Sequence, residues 1–187
     1  MTKPAATPAP RIRVLSSVDD AHVRQLADVL VDCVEGGASV SFMLPLTRER
    51  ALAFWRHVAE GVAGGERALL VAEDAQGIVG TVQLVLAQPE NQPHRAEVSK
   101  MLVHRRARRQ GIGALLMQAA EQLAREYAKT LLVLDTSSAE AERLYARLGW
   151  ARVGVVPGYA LLPGGEPCDT TYFYRTLPDQ RVAPQVR

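Results

Sequence analysis

The stretch with the most chemical promise runs Met101-Leu102-Val103-His104-Arg105-Arg106-Ala107-Arg108-Arg109-Gln110-Gly111-Ile112-Gly113-Ala114. It reads as an apolar strand, an arginine-rich turn, two glycines and the start of an apolar-periodic helix. Successive backbone N–H groups at a helix start, stripped of side chains at Gly111 and Gly113, form a cradle for phosphate. The helix dipole adds about half a positive charge there. Arg105, Arg106, Arg108 and Arg109 add formal charge, with Lys100 and His104 just before them, and guanidinium groups engage phosphate bidentately. The same residues also fit a plain glycine cap beside a solvated basic loop. The stretch lacks the Lys-Ser/Thr ending of a P-loop and the third glycine of a dinucleotide fingerprint, so neither of those sites is expected.

The elements that must hold this stretch follow from hydrophobic period. Ile12 to Leu15 is a short strand. Asp19 to Val34 reads as a helix, with Val23, Leu26, Ala27, Leu30, Val31 and Val34 on one face, closed by Gly36-Gly37. A second helix runs from Thr47, as N-cap, to about Gly61, with Ala51, Phe54, Trp55 and Val58 on one face. Ala68–Ala72 and Ile78–Leu86 form a hairpin about Asp74-Ala75-Gln76-Gly77, followed by a loop from Gln88 to His94. Ala96 to Val103 is a strand in which strict alternation would leave Lys100 on an apolar face, so a bulge is expected near Lys100. Gly111 to Ala128 is the strongest helix and Leu131 to Leu134 a short buried strand. Ser137-Ser138-Ala139-Glu140 reads as a capping box with Ser137 as N-cap, opening a helix that Gly149 closes. Ala151–Val156 and Thr170–Arg175 are the last strands, separated by a loop from Pro157 to Asp169. This is an α/β (α+β) pattern: a mixed central sheet of about seven strands flanked by about four helices.

At 187 residues the chain suits one domain. We expect a folded unit over 11–177 between disordered tails at 1–10 and 178–187, whose proline-rich, weakly apolar composition cannot offset ordering entropy. The sequence has no apolar run near the ~18 residues of a membrane span and no signal-peptide h-region, and reads as a cytoplasmic protein. Its 22 basic and 20 acidic residues leave a formal charge of +2, too balanced for a nucleic-acid binder. Two cysteines make neither a disulfide framework nor a metal site. Cys33 suits core or surface, and Cys168 is incidental in a polar loop.

Two motifs point to a family. Arg108-Arg109-Gln110-Gly111-Ile112-Gly113 resembles the R/Q-x-x-G-x-G/A signature of the GNAT N-acetyltransferases, following a strand as that family requires. Ala141-Glu142-Arg143-Leu144-Tyr145-Ala146-Arg147-Leu148-Gly149-Trp150 resembles the family's A-x-x-L-Y-x-x-L-G-F helix end. The likeness spans about Ile12 to Leu177. Within the family, Gly36 to Met43, Arg95 to Val98 and Leu134 to Thr136 resemble the tabtoxin-resistance acetyltransferase.

The resemblance implies a GNAT fold with splayed central strands, and acetyl-CoA as co-substrate with no metal. It sets the pyrophosphate on the amides of Arg108, Arg109, Gln110, Gly111, Ile112, Gly113 and Ala114. Pantetheine would pair like an added strand with Met101, Leu102 and Val103. Where the family often has an Asn that bonds pantetheine, this chain has Ser138, able to donate one bond or to serve only as a cap. Tyr145 stands where the family keeps its general acid, the proton source for the departing CoA thiolate. It also suits an aromatic packing its ring and wetting its hydroxyl. Glu97 and Asp135, on strands the family makes neighbours, would take the amine's proton or bind a substrate ammonium; simple salt bridging to Arg95 or Lys100 is the alternative. The acceptor implied is a primary amine of a small molecule, a toxin or antibiotic among them, attacking directly in a ternary complex. The loop from Glu35 to Leu46 and that from Pro157 to Asp169 would border it. Alternatives are a protein amine, a non-catalytic acyl-CoA sensor, or a nucleic-acid module reading phosphate through Arg105 to Arg109. A homodimer is compatible with the resemblance.

Overall fold

A computed structural model describes residues 10–178; the tails expected at 1–10 and 178–187 fall almost wholly outside the described residues. Within it, β1 (Arg11–Leu15) leads to α1 (Asp20–Glu35) and α2 (Arg48–Ala63). The hairpin β2 (Arg67–Asp74) and β3 (Gly77–Leu86) follows, then β4 (Arg95–Val103), a single 3₁₀ turn at Arg105–Ala107, and α3 (Ile112–Glu126). The chain closes with β5 (Leu131–Thr136), α4 (Ala139–Arg147), β6 (Ala151–Leu161) and β7 (Pro167–Thr176).

The seven strands form one sheet in the order β1-β2-β3-β4-β5-β7-β6. Every neighbouring pair is antiparallel except β4 and β5, which run parallel and are joined through α3. Alternating side chains divide the core between the two faces. Leu70, Val79, Val82 and Leu84 pack against Ile112, Leu116 and Met117 of α3. Leu69 and Val71 face Leu26, Leu30, Trp55 and Val58 of α1 and α2.

Two local features decide where a cleft opens. Between Thr81 and Gln83 on β3, β4 carries one extra residue (Thr81 opposes Leu102, Gln83 opposes Ser99), and Lys100 takes φ +50°. This is the bulge that the misplaced lysine signals. Beyond it β4 keeps β3 but not β5: the β4–β5 pairing extends only over Arg95–Glu97 against Leu131–Val133. From Val98 onward the two parallel strands diverge, leaving one edge of β4 without a strand partner.

The structure corrects three expectations. The N-cap of α4 is Ser138, not Ser137: β5 continues through Asp135 and Thr136, and Ser138 Oγ accepts from Ala141 N at 3.3 Å. The expected Pro157–Asp169 loop is mostly strand. Pro157, Gly158 and Tyr159 pass through a register irregularity inside β6 rather than ending it, so that only residues 162–166 connect β6 to β7. Cys168 consequently lies on β7, with Sγ 3.5 Å from Ser137 Oγ and 3.7 Å from Ser39 Oγ. Among the described residues no helix is long and apolar enough to cross a membrane.

Candidate active site

The divergence of β4 and β5 opens a cleft of about 640 Å³, within the range of small-molecule sites. Met101, Leu102 and Val103 line it along the unpaired edge of β4; Arg108, Arg109, Gly111, Ile112, Gly113 and Ala114 line it from the start of α3. Ser138 and Tyr145 enter from α4, and Glu97 and Asp135 from the two strands. Of the residues singled out in the sequence, Gln110 does not line the cleft, and neither do His104, Arg105 and Arg106 of the basic turn; the others meet here. The loop after α1 closes one side through Gly36 to Ser41 and touches the β6–β7 connection, with Ser39 Oγ donating to Leu161 O at 3.1 Å and Leu44 N to Pro163 O at 3.0 Å.

At the start of α3, Arg109 (φ +62°) and Gly111 (φ +79°) both adopt left-handed backbone. Gly111 is the N-cap and carries no capping side chain, so the first N–H groups of α3 have no intrahelical acceptor. A Cβ on Gly113 would stand 3.1 Å from Leu144 Cδ2; this glycine therefore also lets α3 close on α4.

The arginine cluster is narrower than its sequence suggests. Arg105 donates from both its backbone N and Nε to Asp32 at 2.8 Å, with Glu35 3.6 Å away. Arg106 is bound by Asp74. Burial alone would raise the Asp32 carboxyl, but the Arg105 hydrogen bonds and the nearby His104 hold it below its usual range. These two arginines pin the turn to α1 and to the β2–β3 hairpin. Arg108 folds back, its Nε donating to Val103 O at 3.1 Å and its Nη2 reaching to 4.0 Å from Cys33 Sγ. Cys33 is buried in the core, and its thiol is pushed up by that burial. Arg108 and Arg109 are the members of the cluster that line the cleft.

Tyr145 is 4% exposed, its ring 5.8 Å from Phe173 and 6.1 Å from Trp150. Burial first, and the charge of Asp135 second, push its phenol well above the ordinary value, so the hydroxyl keeps its proton across the physiological range. Glu97 pairs in register with Val133, placing Asp135 two residues further along the adjacent strand. Asp135 Oδ2 accepts from Thr170 Oγ1 at 2.8 Å. The alternative of salt bridges to Arg95 or Lys100 is not realised: Arg95 is bound to Gln92 Oε1 and Lys100 to Ser41 Oγ. Beside them Tyr172 donates to Tyr159 at 2.9 Å, and its phenol is pushed up to about 12, first by that hydrogen bond.

A buried phenol that keeps its proton, two carboxylates without an ion pair and a helix start without a capping side chain thus line one cleft. The model of the acetyltransferase (GNAT) domain matches residues 65–152, which include β4, the arginine turn, α3, β5 and α4. This segment is similar to the GNAT acetyltransferase domain. Solved structures agree on the fold. The phosphinothricin acetyltransferase of Sinorhizobium meliloti in complex with acetyl-CoA is 18% identical, with a TM-score of 0.74 over 95% of this chain and 94% of that one. The yncA protein of Salmonella typhimurium, with its cofactor acetyl-CoA, is 21% identical (TM-score 0.74, 96% and 100%). The ribosomal-protein-alanine N-acetyltransferase of Brucella melitensis is 23% identical (TM-score 0.73, 89% and 99%). At these identities the likeness is one of fold.

Arg147, two positions after Tyr145 on α4, was not singled out in the sequence and adds a cation to the cleft. Lys100, marked in the sequence as a cation just before the arginine cluster and as a break in strand alternation, also lines it. Its Nζ donates to Ser41 Oγ at 3.2 Å and lies 5.8 Å from the centre of the Phe54 ring. The signal was present in its placement on an apolar strand. Among the described residues no cluster of three or more His, Cys, Asp and Glu side chains is placed to hold a metal ion.

Proposed function

We propose that this chain transfers acetyl from acetyl-CoA to a primary amine of a small molecule, by direct attack in a ternary complex. The observation that carries the reading is Tyr145: a phenol held protonated by burial at the base of the cleft, with Glu97 and Asp135 on the two diverging strands above it. In this reading the amides from Arg108 to Ala114 receive the pyrophosphate, and Arg108 and Arg109 supply its countercharge. The unpaired edge of β4 at Met101 to Val103 receives the pantetheine as an added strand. Ser138 serves as the cap of α4, its hydroxyl free to donate while its oxygen accepts from Ala141.

The amine nitrogen attacks the thioester carbon, and the carbon–sulfur electron pair leaves on sulfur. Tyr145 Oη donates its proton to that thiolate, while the amine's proton passes to Glu97 or Asp135, directly or through water. The two transfers assist one another. Because the charge of Asp135 contributes to holding up the Tyr145 phenol, a proton arriving at Asp135 removes that contribution and makes Tyr145 a readier donor.

A toxin or antibiotic bearing an amino group is the favoured acceptor, a reading supported by the fold shared with a phosphinothricin acetyltransferase. The test is release of CoA thiol from acetyl-CoA against a panel of amines, with mass spectrometry of the products. N-acetylated product matching the thiol released is expected. Tight acetyl-CoA binding with no thiol release to any amine would replace the transferase with an acyl-CoA sensor.

A further inference from the structure

On β4, Glu97 and Lys100 are three residues apart and line the same cleft, yet they form no ion pair. At φ +50°, a conformation that L side chains rarely adopt, Lys100 breaks the strand alternation, and its ammonium lies against Ser41 and Phe54. Three other elements then hold the ammonium: Ser41 of the loop after α1 accepts from it, the face of Phe54 on α2 lies within cation–π range, and β3 fixes the bulge itself. Backbone strain of this kind persists where surrounding structure over-determines it, and it clusters at functional sites. The ammonium is partly removed from water, and that burial lowers its pKa, with Glu97 and Asp135 opposing the shift and Arg67 adding to it. Arg67, anchored on Gln83 Oε1 at 3.2 Å, lies outside the cleft lining, so Lys100 is the cation that β4 presents to the cleft. Glu97 and Asp135 make the neighbouring region negative. A solvated lysine would have no need of this holding arrangement; a placed, half-buried cation without an anionic partner has the form of half of an ion pair.

We propose that Lys100 is a specificity-determining residue that binds an anionic oxygen group of the acceptor, so that the acceptor is a zwitterion carrying an acid as well as the reacting amine. The acid meets Lys100 while the amine lies by Glu97 and Asp135, and the two contacts together fix which end of the acceptor faces the thioester. The inference rests on the acetyltransferase reading.

The test compares amino acids with their own amides, which keep the skeleton and lose the acid. Thiol release and, separately, calorimetric binding with CoA in place are measured for wild type, K100Q and K100R. Comparing enzymes on one acceptor at a time cancels that acceptor's own amine basicity. The expected result is that K100Q lowers kcat/KM for the acids at least ten-fold more than for the matched amides, chiefly through KM, and that K100R restores part of the difference. An equal loss on acids and amides would make Lys100 a brace between β4 and its loop and overturn the proposal, leaving the transferase intact. Binding of acids that depends on Lys100, with no thiol released, would support the anion site and remove the transfer reading. Amino acids that neither bind nor react, whether or not the amides do, would overturn the zwitterion and leave the transferase reading to the amine panel.

Discussion

Glu97 and Asp135 reach one cleft from two parallel strands, and the acceptor's own ionisation separates their roles from that of Tyr145. An alkyl ammonium with a pKa of about 10 is almost wholly protonated at neutral pH, so a carboxylate that accepts its proton matters most at low pH. E97Q or D135N is therefore expected to depress turnover most at the acid end of the profile and to recover partly at the alkaline end, where free amine is abundant. The pH–rate profiles of the two amides check this; profiles parallel to wild type would assign the carboxylates to neither base nor ammonium binding. Legibility at this scale depended on partners. Tyr145 could be picked out because it falls in a motif at the end of α4, and Glu97 and Asp135 because they are carboxylates within and at the end of apolar strands. That Arg105 and Arg106 are neutralised could not, since Asp32 and Asp74 lie 73 and 32 positions away in the chain.

Among the elements, the start of α3 has a property that a charge can test. Ala114 lies in its first turn and lines the cleft. An acidic residue there favours the helix dipole by roughly 0.3–1 kcal/mol but repels a bound pyrophosphate. Ala114→Glu should hold or slightly raise the melting temperature while weakening acetyl-CoA at least ten-fold, about 1.4 kcal/mol, by calorimetry. Unchanged affinity would remove the phosphate assignment. Gly113 is a poorer place to ask, because a side chain there also meets Leu144. The β4 bulge was legible because Lys100 broke an apolar alternation. The cap of α4 was misread by one residue, because Ser137 and Ser138 both fit a capping position and only the length of β5 decides between them. The β6–β7 arm was read as loop because Pro157 and Gly158 signal a turn, whereas exposed strands accommodate both residues at an irregularity.

Across the whole molecule, the two core layers leave Tyr145 on a rigid support. Glu121 of α3, 6% exposed, accepts from Trp150 Nε1 at 2.9 Å and pairs with Arg175 Nε at 3.0 Å, tying α3, the end of α4 and β7 together beneath the tyrosine. Glu121→Ala would leave the buried Trp150 indole N–H without its acceptor and take from Arg175 its carboxylate partner, at a cost of about 1–3 kcal/mol. A lowered urea midpoint is expected, and a loss below ~1 kcal/mol would show that the cluster does not carry this load. The element order and the strand splay were legible from period and motif; this buried tie was not, for its members lie on three separate elements. What the assembly is for turns on one oxygen. Tyr145→Phe keeps the ring between Trp150 and Phe173 and removes the proton donor. Its turnover with a good acceptor should fall by ~10²-fold or more, roughly 2.7 kcal/mol of transition-state stabilisation, while acetyl-CoA affinity stays within a few-fold. A folded Tyr145→Phe enzyme with full turnover would contradict the account.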